Sequence, residues 1–255
     1  PYPDGLIDKL TETGVTVHLN LAKITNQTGK RQFVEKVGSY TVLTTSLNYA
    51  SFGQLFLKRL MDICGGLVGC IFTGIITIFV GPAIYLASPG PIFFSQERVG
   101  KNGKKFKMYK FRSMYMDAEE RLAELQKYNQ VDGPAFKMEN DPRVTPVGSF
   151  IRKTSIDELP QLWNVLKGEM SIVGPRPPIP REVAQYTDWD WGRLAVKPGL
   201  TCYWQVSGRS DVGFEDWMRL DLKYVEEQGF LTDMKILFKT VGGTLVLVLR
   251  GDGAY

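Results

Sequence analysis

No charged residue occurs between Asp62 and Glu97, although charges of both signs are frequent in the rest of this chain. From Ile63 to Val80 the residues are mainly apolar, over a length close to the roughly 20 residues that an α-helix needs to cross a bilayer. The apolar residues alone are compatible with a spanning helix, a re-entrant helix or a helix buried in a protein core. The charge-free segment therefore decides how the chain meets lipid and water.

Positive charge lies at both ends of this segment. Lys58 and Arg59 precede it, and a basic run without an acidic residue follows it from Arg98 to Arg112. Because Lys and Arg next to membrane segments favour the cytoplasmic side, both ends are expected on the same side. The pair Gly81-Pro82 favours a helix break, since proline lacks a backbone donor. We therefore predict a re-entrant helix that breaks at Gly81 and Pro82.

The chain divides near residue 50. Residues 1–50 contain short alternating stretches at Val15 to Leu21 and at Tyr40 to Thr45, which are too few to form a core alone. We predict that residues 1–50 are the β-rich end of an upstream domain. Residues 51–255 form the second predicted domain, which includes the re-entrant membrane segment 56–90.

The composition excludes several kinds of site. The single histidine, His18, rules out sites that are built from two or more imidazoles. The three cysteines, at positions 64, 70 and 202, show neither metal-ligand spacing nor a disulfide framework. Acid–base chemistry away from His18 therefore falls to carboxylates, lysine or tyrosine. A net charge of only +4, with the basic run next to an apolar segment, argues against nucleic acid as a partner.

A β-hairpin is predicted directly after the membrane segment. Its strands run from Ile92 to Val99 and from Lys105 to Phe111, and they flank Asn102-Gly103, a pair typical of hairpin turns. Alternation along the second strand places Lys110 and Arg112 on one face. These two cations require an anion, and either a bound phosphate or acidic lipid headgroups would supply it.

Two adjacent carboxylates are expected at the start of a helix that ends near Gly168. Pro160 is tolerated in a first turn, so the spacing predicts that this helix begins close to Asp157. On a helix, Asp157 and Glu158 point about 100° apart, which suggests different roles for them. A helix N-terminus also attracts phosphate. A purely structural alternative, a capping box formed by Ser155 and Glu158, stays open.

Basic residues lie on both sides of this helix in the sequence. Arg152 precedes it, and Arg176 follows within the stiff loop Gly174-Pro175-Arg176-Pro177-Pro178. A carboxylate nucleophile, a divalent metal and arginines are together the components of phosphoryl-transfer sites. The residues are therefore compatible with phosphoryl transfer, and a capped helix beside a proline turn stays open as the structural alternative.

Six motifs occur in order along the second domain: SPGPIFFSQERVG (88–100), YKFRSM (109–114), RKTSIDELPQL (152–162), VGPRP (173–177), KPGLT (197–201) and WQVSGR (204–209). In this order they resemble the bacterial sugar transferase family, the monotopic polyprenyl-phosphate hexose-1-phosphate transferases, over about Leu55 to Tyr255. The resemblance implies the catalytic part of a larger enzyme that initiates capsule or exopolysaccharide synthesis. It also implies that residues 1–50 are the β-rich end of a nucleotide-binding-like domain. The expected fold is an α+β monotopic membrane protein with a re-entrant helix-break-helix, a β-hairpin and several amphipathic helices around the active site.

The resemblance also implies a reaction and a set of site residues. The reaction transfers a hexose-1-phosphate from a UDP-sugar to undecaprenyl phosphate and releases UMP. Asp157 would be the nucleophile that forms a sugar-phosphoryl aspartate, and Glu158 its partner at a Mg²⁺ ion that both residues hold. Lys110 and Asp221 match further catalytic positions. Three arginines match phosphate-binding positions: Arg112, Arg152 and Arg176.

The partners expected from the resemblance are undecaprenyl phosphate, a UDP-sugar and the lipid bilayer. The expected location is the bacterial inner membrane, with the catalytic domain on the cytoplasmic face. Homo-oligomers and other polysaccharide assembly proteins are left open as partners. The alternative function is a non-catalytic, membrane-docked assembly or regulatory protein of polysaccharide synthesis. The presence of all four predicted catalytic residues disfavours that alternative.

Overall fold

The computed structural model describes residues 31–37, 40–46, 52–129, 138, 140–207 and 213–250. The chain separates into two compact units, Pro1–Ser46 and Leu47–Tyr255. In the first unit, β1 (Arg31–Val37) pairs antiparallel with β2 (Tyr40–Ser46), which confirms the strand predicted from Tyr40. The other predicted strand, around His18, lies outside the described residues.

The second unit is mixed helix and sheet, as predicted for the α+β class. It opens with the long helix α1 (Phe52–Ala87), followed by the strands β3 (Phe93–Val99) and β4 (Lys105–Phe111). Two three-residue strands, β5 (Ser171–Val173) and β6 (Gly199–Thr201), pair in parallel. The remaining helices are α2 (Ala118–Leu125), α3 (Pro146–Lys153), α4 (Gln161–Lys167), α5 (Pro180–Val183), α6 (Asp188–Trp191), α7 (Tyr203–Val206), α8 (Phe214–Glu227) and α9 (Phe230–Arg250).

The predicted hairpin is confirmed. Strands β3 and β4 are antiparallel, and their register sets Phe94 opposite Lys110 and Arg98 opposite Phe106. At the turn, Asn102 has a φ of 56° and the following glycine a φ of 75°. Asparagine and glycine adopt this left-handed conformation most readily, which explains the Asn-Gly pair.

The N-terminal part of α1 is held by a buried lysine. The ammonium group of Lys58 lies 2.6 Å from Asp233 Oδ2, 2.9 Å from the Val173 carbonyl oxygen and 3.0 Å from the Tyr224 hydroxyl. Tyr224 in turn donates to Asp233 Oδ1 over 2.7 Å. The sequence pattern placed the charge of Lys58 on the cytoplasmic side of a membrane. In the structure this charge is buried, and it joins α1 to β5, α8 and α9.

Two further charged residues of α1 make contacts of the same kind. Arg59 donates to the carbonyl oxygens of Val165 and Leu166, over 2.8 and 2.7 Å, at the C-terminal end of α4. Asp62 Oδ1 accepts from the Ser171 hydroxyl and from the Ile172 amide, both over 2.9 Å. Cations stabilise the end of a helix where carbonyl groups lack partners, so Arg59 caps α4.

The middle and the C-terminal end of α1 also pack against the rest of the unit. A Cβ atom added at Gly66 would lie 2.8 Å from Leu166 Cδ2, so the glycine allows α4 to approach closely. Towards the other end, Ile84 packs in a buried cluster with Phe111 and Ile151. One stripe of α1 therefore contacts the folded unit along most of the helix.

The opposite face of α1 is apolar and exposed. Among the described residues, α1 is the one helix long and apolar enough to cross a membrane, and only 6% of its most apolar stretch is buried. This low burial argues against the core-helix alternative. The exposed large side chains of this face are Phe56, Leu60, Ile63, Leu67, Ile71, Phe72, Ile75, Ile78 and Phe79.

The predicted helix break at Gly81 and Pro82 is wrong, because α1 continues through both residues to Ala87. A proline inside a helix costs about 3 kcal/mol, mainly through the lost hydrogen bond and a steric clash. Here the packing of the helix offsets that cost. Residues on both sides of Pro82, Val80 and Ile84, contact one apolar cluster, and Gly81 lies against Ile92.

We expect the buried ion pair of Lys58 to be essential for stability. Lys58→Ala leaves the Asp233 carboxylate buried without its counter-ion, which should lower the free energy of unfolding by about 3 kcal/mol or more. The measurement is the thermal unfolding midpoint in detergent, with the exposed Lys107→Ala as the matched control. Replacing both partners, as Lys58→Met with Asp233→Leu, should restore most of the loss. Equal midpoints for the Lys58 and Lys107 variants would contradict this role.

Candidate active site

A cavity of about 430 Å³ in the second unit contains most of the predicted site residues. Its charged lining comprises Arg98, Lys110, Arg152, Asp157, Glu158 and Arg176. Apolar side chains also line it, namely Leu159, Leu162, Ile172, Leu200, Trp204 and Leu237. The cavity therefore combines four cations and two carboxylates with an apolar surface.

The two carboxylates lie on a tight turn rather than on the predicted helix. Residues Ile156–Glu158 form a single 3₁₀ turn, and α4 begins only at Gln161, so the predicted start near Asp157 is wrong. Pro160 precedes the helix, where its missing N–H has no consequence. Ser155 has a φ of 57° and makes no side-chain cap, which also excludes the capping box. The prediction of Gly168 just after the helix is confirmed by its φ of 82°.

Lys110 bridges the two carboxylates. Its ammonium nitrogen lies 2.8 Å from Glu158 Oε1 and 3.9 Å from Asp157 Oδ2. Strand β4 supplies Lys110, and the 3₁₀ turn that carries the carboxylates packs beside this strand. The structure thus brings together three of the four residues that were predicted as catalytic.

Asp157 is the most buried of these side chains, with 8% of its surface exposed. The pKa of Asp157 is raised to about 6, mainly by burial and also by the charge of Glu158, whereas Lys110 and Arg152 oppose the shift. Such a pKa keeps the carboxylate mostly ionised at neutral pH but close to its titration range. A buried carboxylate next to cations in a cavity is typical of a functional site.

Arginines form the basic part of the cavity lining. Arg152 comes from the last turn of α3, and Arg176 from the proline-rich loop after β5. Arg98 reaches the same cavity from β3 and donates to the Pro177 carbonyl oxygen over 3.0 Å. The pKa of Arg98 is lowered to about 10, mainly by burial and also by the charge of Arg176. Arg98 and Arg176 each make the positive charge of the other less favourable. An anion bound between them would stabilise both charges.

Arg98 was missed as a site residue in the sequence. The signal for it lay in the hairpin, because Arg98 pairs with Phe106 and alternation places Phe106 and Lys110 on one face of β4. Only the pairing register of the two strands relates Arg98 to Lys110.

Arg112 was predicted to bind phosphate, but it does not line this cavity. Its guanidinium is buried and donates to the Ser88 carbonyl oxygen. The physical reason is that β4 ends at Phe111, so the strand alternation that grouped Arg112 with Lys110 stops one residue too early. Arg112 instead holds the turn between α1 and β3, where its amide also donates to Ile92.

Asp221 also lies outside the cavity lining and is fully buried in α8. It forms an ion pair with Arg193 at 2.5 Å, and the same guanidinium nitrogen of Arg193 donates to the Arg176 carbonyl oxygen over 2.9 Å. The ring of Trp217 lies 5.3 Å from the guanidinium of Arg176 and 5.1 Å from that of Arg193. Asp221 therefore reaches the cavity through Arg193 and the loop of Arg176.

The carboxylates fit a metal ion that is shared with a substrate. Among the described residues, no group of three or more His, Cys, Asp or Glu side chains is arranged to hold a metal ion. Mg²⁺ is commonly bound by one or two carboxylates together with substrate phosphates. Asp157 and Glu158 supply that number of carboxylates, so they are the residues that would hold Mg²⁺.

Comparison with known proteins gives a consistent result. The family model described as bacterial sugar transferase matches residues 53–246. The galactosyl transferase CpsE of Streptococcus agalactiae serotype III is 42% identical over 98% of this chain and 55% of its own length. The undecaprenyl-phosphate galactose phosphotransferase of Salmonella typhimurium is 44% identical over 82% of this chain and 44% of its own length. The chain thus spans about half the length of these two relatives.

A shorter relative is matched over most of its length. The exopolysaccharide production protein ExoY of Sinorhizobium fredii is 39% identical over 72% of this chain and 83% of its own length. The segment that the family model matches begins at the start of α1 and includes every residue that lines the cavity. Since this match covers most of the chain, the chain belongs to the bacterial sugar transferase family.

Proposed function

We propose that this chain transfers a hexose-1-phosphate from a UDP-sugar to undecaprenyl phosphate, with release of UMP, as the first step of capsule or exopolysaccharide synthesis. The observation that carries the proposal is the buried Asp157 beside Lys110, in a cavity that three arginines also line. Membership of the family and the names of the relatives support the same reaction class. UDP-galactose is the first donor to test, because two relatives are named for galactose.

In the first step, a carboxylate oxygen of Asp157 attacks the phosphorus that carries the sugar. A bond forms between that oxygen and phosphorus, and the bond from phosphorus to the oxygen that bridges to UMP breaks. The electron pair of the broken bond leaves with UMP. No proton transfer is needed if Asp157 starts ionised, which its environment permits at neutral pH.

In the second step, an oxygen of undecaprenyl phosphate attacks the same phosphorus. The bond between phosphorus and Asp157 breaks, so the carboxylate is restored and the product is the undecaprenyl diphosphate sugar. The apolar lining, which includes Leu162, Leu200 and Leu237, suits the first isoprene units of that lipid next to its phosphate.

The cations stabilise charge during both steps. Lys110 neutralises Glu158 and lies close enough to Asp157 to orient its carboxylate. Arg98, Arg152 and Arg176 surround the space where the phosphates would lie, and guanidinium groups match phosphate oxygens in pairs. When bound, Mg²⁺ would neutralise phosphate charge and polarise the phosphorus–oxygen bonds.

Asp221 takes a positioning role in this proposal rather than the catalytic role predicted from the resemblance. Its carboxylate holds Arg193, and Arg193 holds the backbone of Arg176. A guanidinium whose backbone is fixed loses less entropy when it binds phosphate. Arg112 has a structural role in the same scheme, at the turn before β3.

The membrane arrangement that we propose is one-sided. Lys58 near the start of α1 and Ile84 near its end both contact the same folded unit, so the two ends of the helix stay on one side of the bilayer. The exposed apolar face of α1 then lies in the lipid. This is the monotopic arrangement on the cytoplasmic face of the inner membrane, where a soluble UDP-sugar and a lipid phosphate meet.

The test of the reaction is UMP release by the purified chain in detergent with Mg²⁺, undecaprenyl phosphate and a panel of UDP-sugars. Asp157→Asn should lower the rate by roughly 10³-fold or more, because it removes the nucleophile and with it both steps. The matched control is the exposed Asp117→Asn, which should keep the wild-type rate. No release with any donor, or undiminished release by Asp157→Asn, would refute the mechanism.

Asp221→Asn gives a second comparison in the same assay. Because Asp221 acts through Arg193 on the position of Arg176, its loss should raise the KM for the UDP-sugar more than it lowers kcat. With a UDP-sugar that is radiolabelled in its sugar, this variant should still form the covalent intermediate, whereas Asp157→Asn should form none. An Asp221→Asn variant that forms no labelled enzyme, although folded by circular dichroism, would make Asp221 part of the chemistry.

The first step should depend on pH with a midpoint near 6. The nucleophile must be ionised, and the pKa of Asp157 is raised to about 6, so protonation below that pH removes activity. Formation of labelled enzyme from UDP-sugar alone should be about tenfold slower at pH 5 than at pH 7. Undecaprenyl phosphate is omitted because its own phosphate titrates in this range. A flat profile between pH 5 and 7 would contradict the assignment.

Labelling with a membrane-impermeant maleimide tests the one-sided membrane arrangement. Gln54→Cys precedes the apolar stretch and Glu97→Cys follows it, each in a Cys64→Ser, Cys70→Ser background. Both positions should be labelled in inverted inner-membrane vesicles and neither in intact cells. Full labelling of both in detergent is the control for reactivity. Labelling of the two positions from opposite sides would establish a spanning helix instead.

A further inference from the structure

A second cavity, of about 340 Å³, lies in the same unit and shares no lining residue with the catalytic cavity. It is formed by the hairpin turn after β3, by the C-terminal end of α4 and by the segment before β6. Five of its lining residues are lysines, namely Lys101, Lys104, Lys105, Lys167 and Lys197, and one, Glu169, is acidic. None of these residues has a role in the proposed transfer reaction.

The single carboxylate of this lysine cavity does not neutralise the cluster. Glu169 Oε1 accepts from Lys167 over 2.8 Å, and Glu169 Oε2 accepts from the amide nitrogen of Asn164 over 2.7 Å. Lys105 is paired outside the cavity, with Glu97 at 3.0 Å. Both oxygens of Glu169 are therefore already engaged.

Three lysines remain as uncompensated charges. Within the part of the chain that the structure describes, the ion pairs do not include Lys101, Lys104 or Lys197. Lys101 and Lys104 are exposed at the hairpin turn, whereas Lys197 is half-buried. Burial is costly for an ammonium group that has no counter-ion.

Lys197 also lies close to another cation. A Cβ atom added at Gly168 would lie 3.4 Å from Lys197 Nζ and 3.4 Å from Arg59 Nη2, so both charges converge on one point. Burial lowers the pKa of Lys197, and the charges of Arg59 and Lys101 lower it further. Arg59 already donates to two carbonyl oxygens. The charge of Asp62 opposes the shift at Lys197 but does not cancel it. An anion in this cavity would relieve that repulsion.

We propose that the lysine cavity binds a phosphate-bearing anion at a site separate from the catalytic cavity. Three ammonium groups match a ligand with more than one negative charge, and lysine binds phosphate as a compact point charge. The volume lies at the lower end of the roughly 300–1,000 Å³ that is usual for small-ligand sites. A diphosphate in solution and the glycerophosphate headgroup of an anionic lipid share this chemistry.

Lysine acetylation, read by mass spectrometry on the purified chain in detergent, tests the site residue by residue. Inorganic pyrophosphate should slow acetylation of Lys101, Lys104 and Lys197 by about tenfold, as expected for one or two charge-assisted contacts. Lys107, an exposed lysine of β4 outside the cavity, is the internal control and should not change. The measurement is repeated in Arg176→Gln, so that pyrophosphate bound in the catalytic cavity does not contribute.

A second measurement distinguishes a free diphosphate from a lipid headgroup. Lys101→Gln with Lys104→Gln changes only exposed side chains, so the fold should be kept. The matched control removes two exposed lysines elsewhere, as Lys107→Gln with Lys223→Gln. If the ligand is a headgroup, only the cavity variant should lose the added affinity for phosphatidylcholine vesicles that contain phosphatidylglycerol. If the ligand is a free diphosphate, only the cavity variant should lose pyrophosphate binding.

Equal losses in both double variants, for both probes, would show bulk charge attraction and overturn the proposal. The proposal would also be overturned if neither pyrophosphate nor the vesicles that contain phosphatidylglycerol slow the acetylation of Lys197. Release of UMP by the cavity variant is measured in parallel and should stay within about twofold of wild type, since the site lies outside the transfer machinery. Failure of the lysine cavity to bind an anion would therefore leave the proposed transferase reaction unaffected. Likewise, failure of the chain to release UMP would leave the proposed anion site unaffected.

Discussion

The buried ion pair between Lys58 and Asp233 joins the first turns of α1 to the folded unit on which the site is built. An exposed apolar helix has little reason to lie against a protein rather than in lipid, since both surroundings are apolar. Polar contacts that are satisfied only in one position remove that freedom. Lys58, Arg59 and Asp62 provide such contacts within two turns, to β5, α4 and α9. The rest of α1 then follows along the surface of the unit.

This attachment has a consequence for the site. Arg59 caps α4, and α4 directly follows the turn that carries Asp157 and Glu158. The far end of α1 packs on Phe111, the residue after Lys110 in β4. The two parts that bring Lys110 to the carboxylates are thus both packed against the same apolar helix. The site that we propose for a lipid substrate is in this way coupled to the helix that we propose lies in the lipid.

Charge is distributed so that cations collect in cavities. The candidate active-site cavity holds four cations and two carboxylates, and the lysine cavity holds five cations and one carboxylate. In the first, burial and neighbouring charge lower the pKa of Arg98, and in the second they lower the pKa of Lys197. Both are signs of positive charge that the protein itself does not balance. The small net charge of the chain conceals this local excess, because acidic residues are concentrated elsewhere.

Local patterns in the sequence determined the hairpin, the glycine after α4 and the apolar helix, because backbone geometry and turn chemistry depend on neighbouring residues. The grouping of Lys110 with Asp157 and Glu158 was implied instead by the resemblance to a family. Tertiary structure decided the features that depend on partners far away in the chain. Pro82 stays inside α1 because Phe111 and Ile151 pack against the residues around it. Arg98 joins the cavity through strand pairing, Arg112 leaves it because its strand ends, and Lys58 is buried because Asp233 is there to receive it. The role of a charged residue therefore depends on whether the fold places a counter-ion beside it, which the sequence alone does not determine.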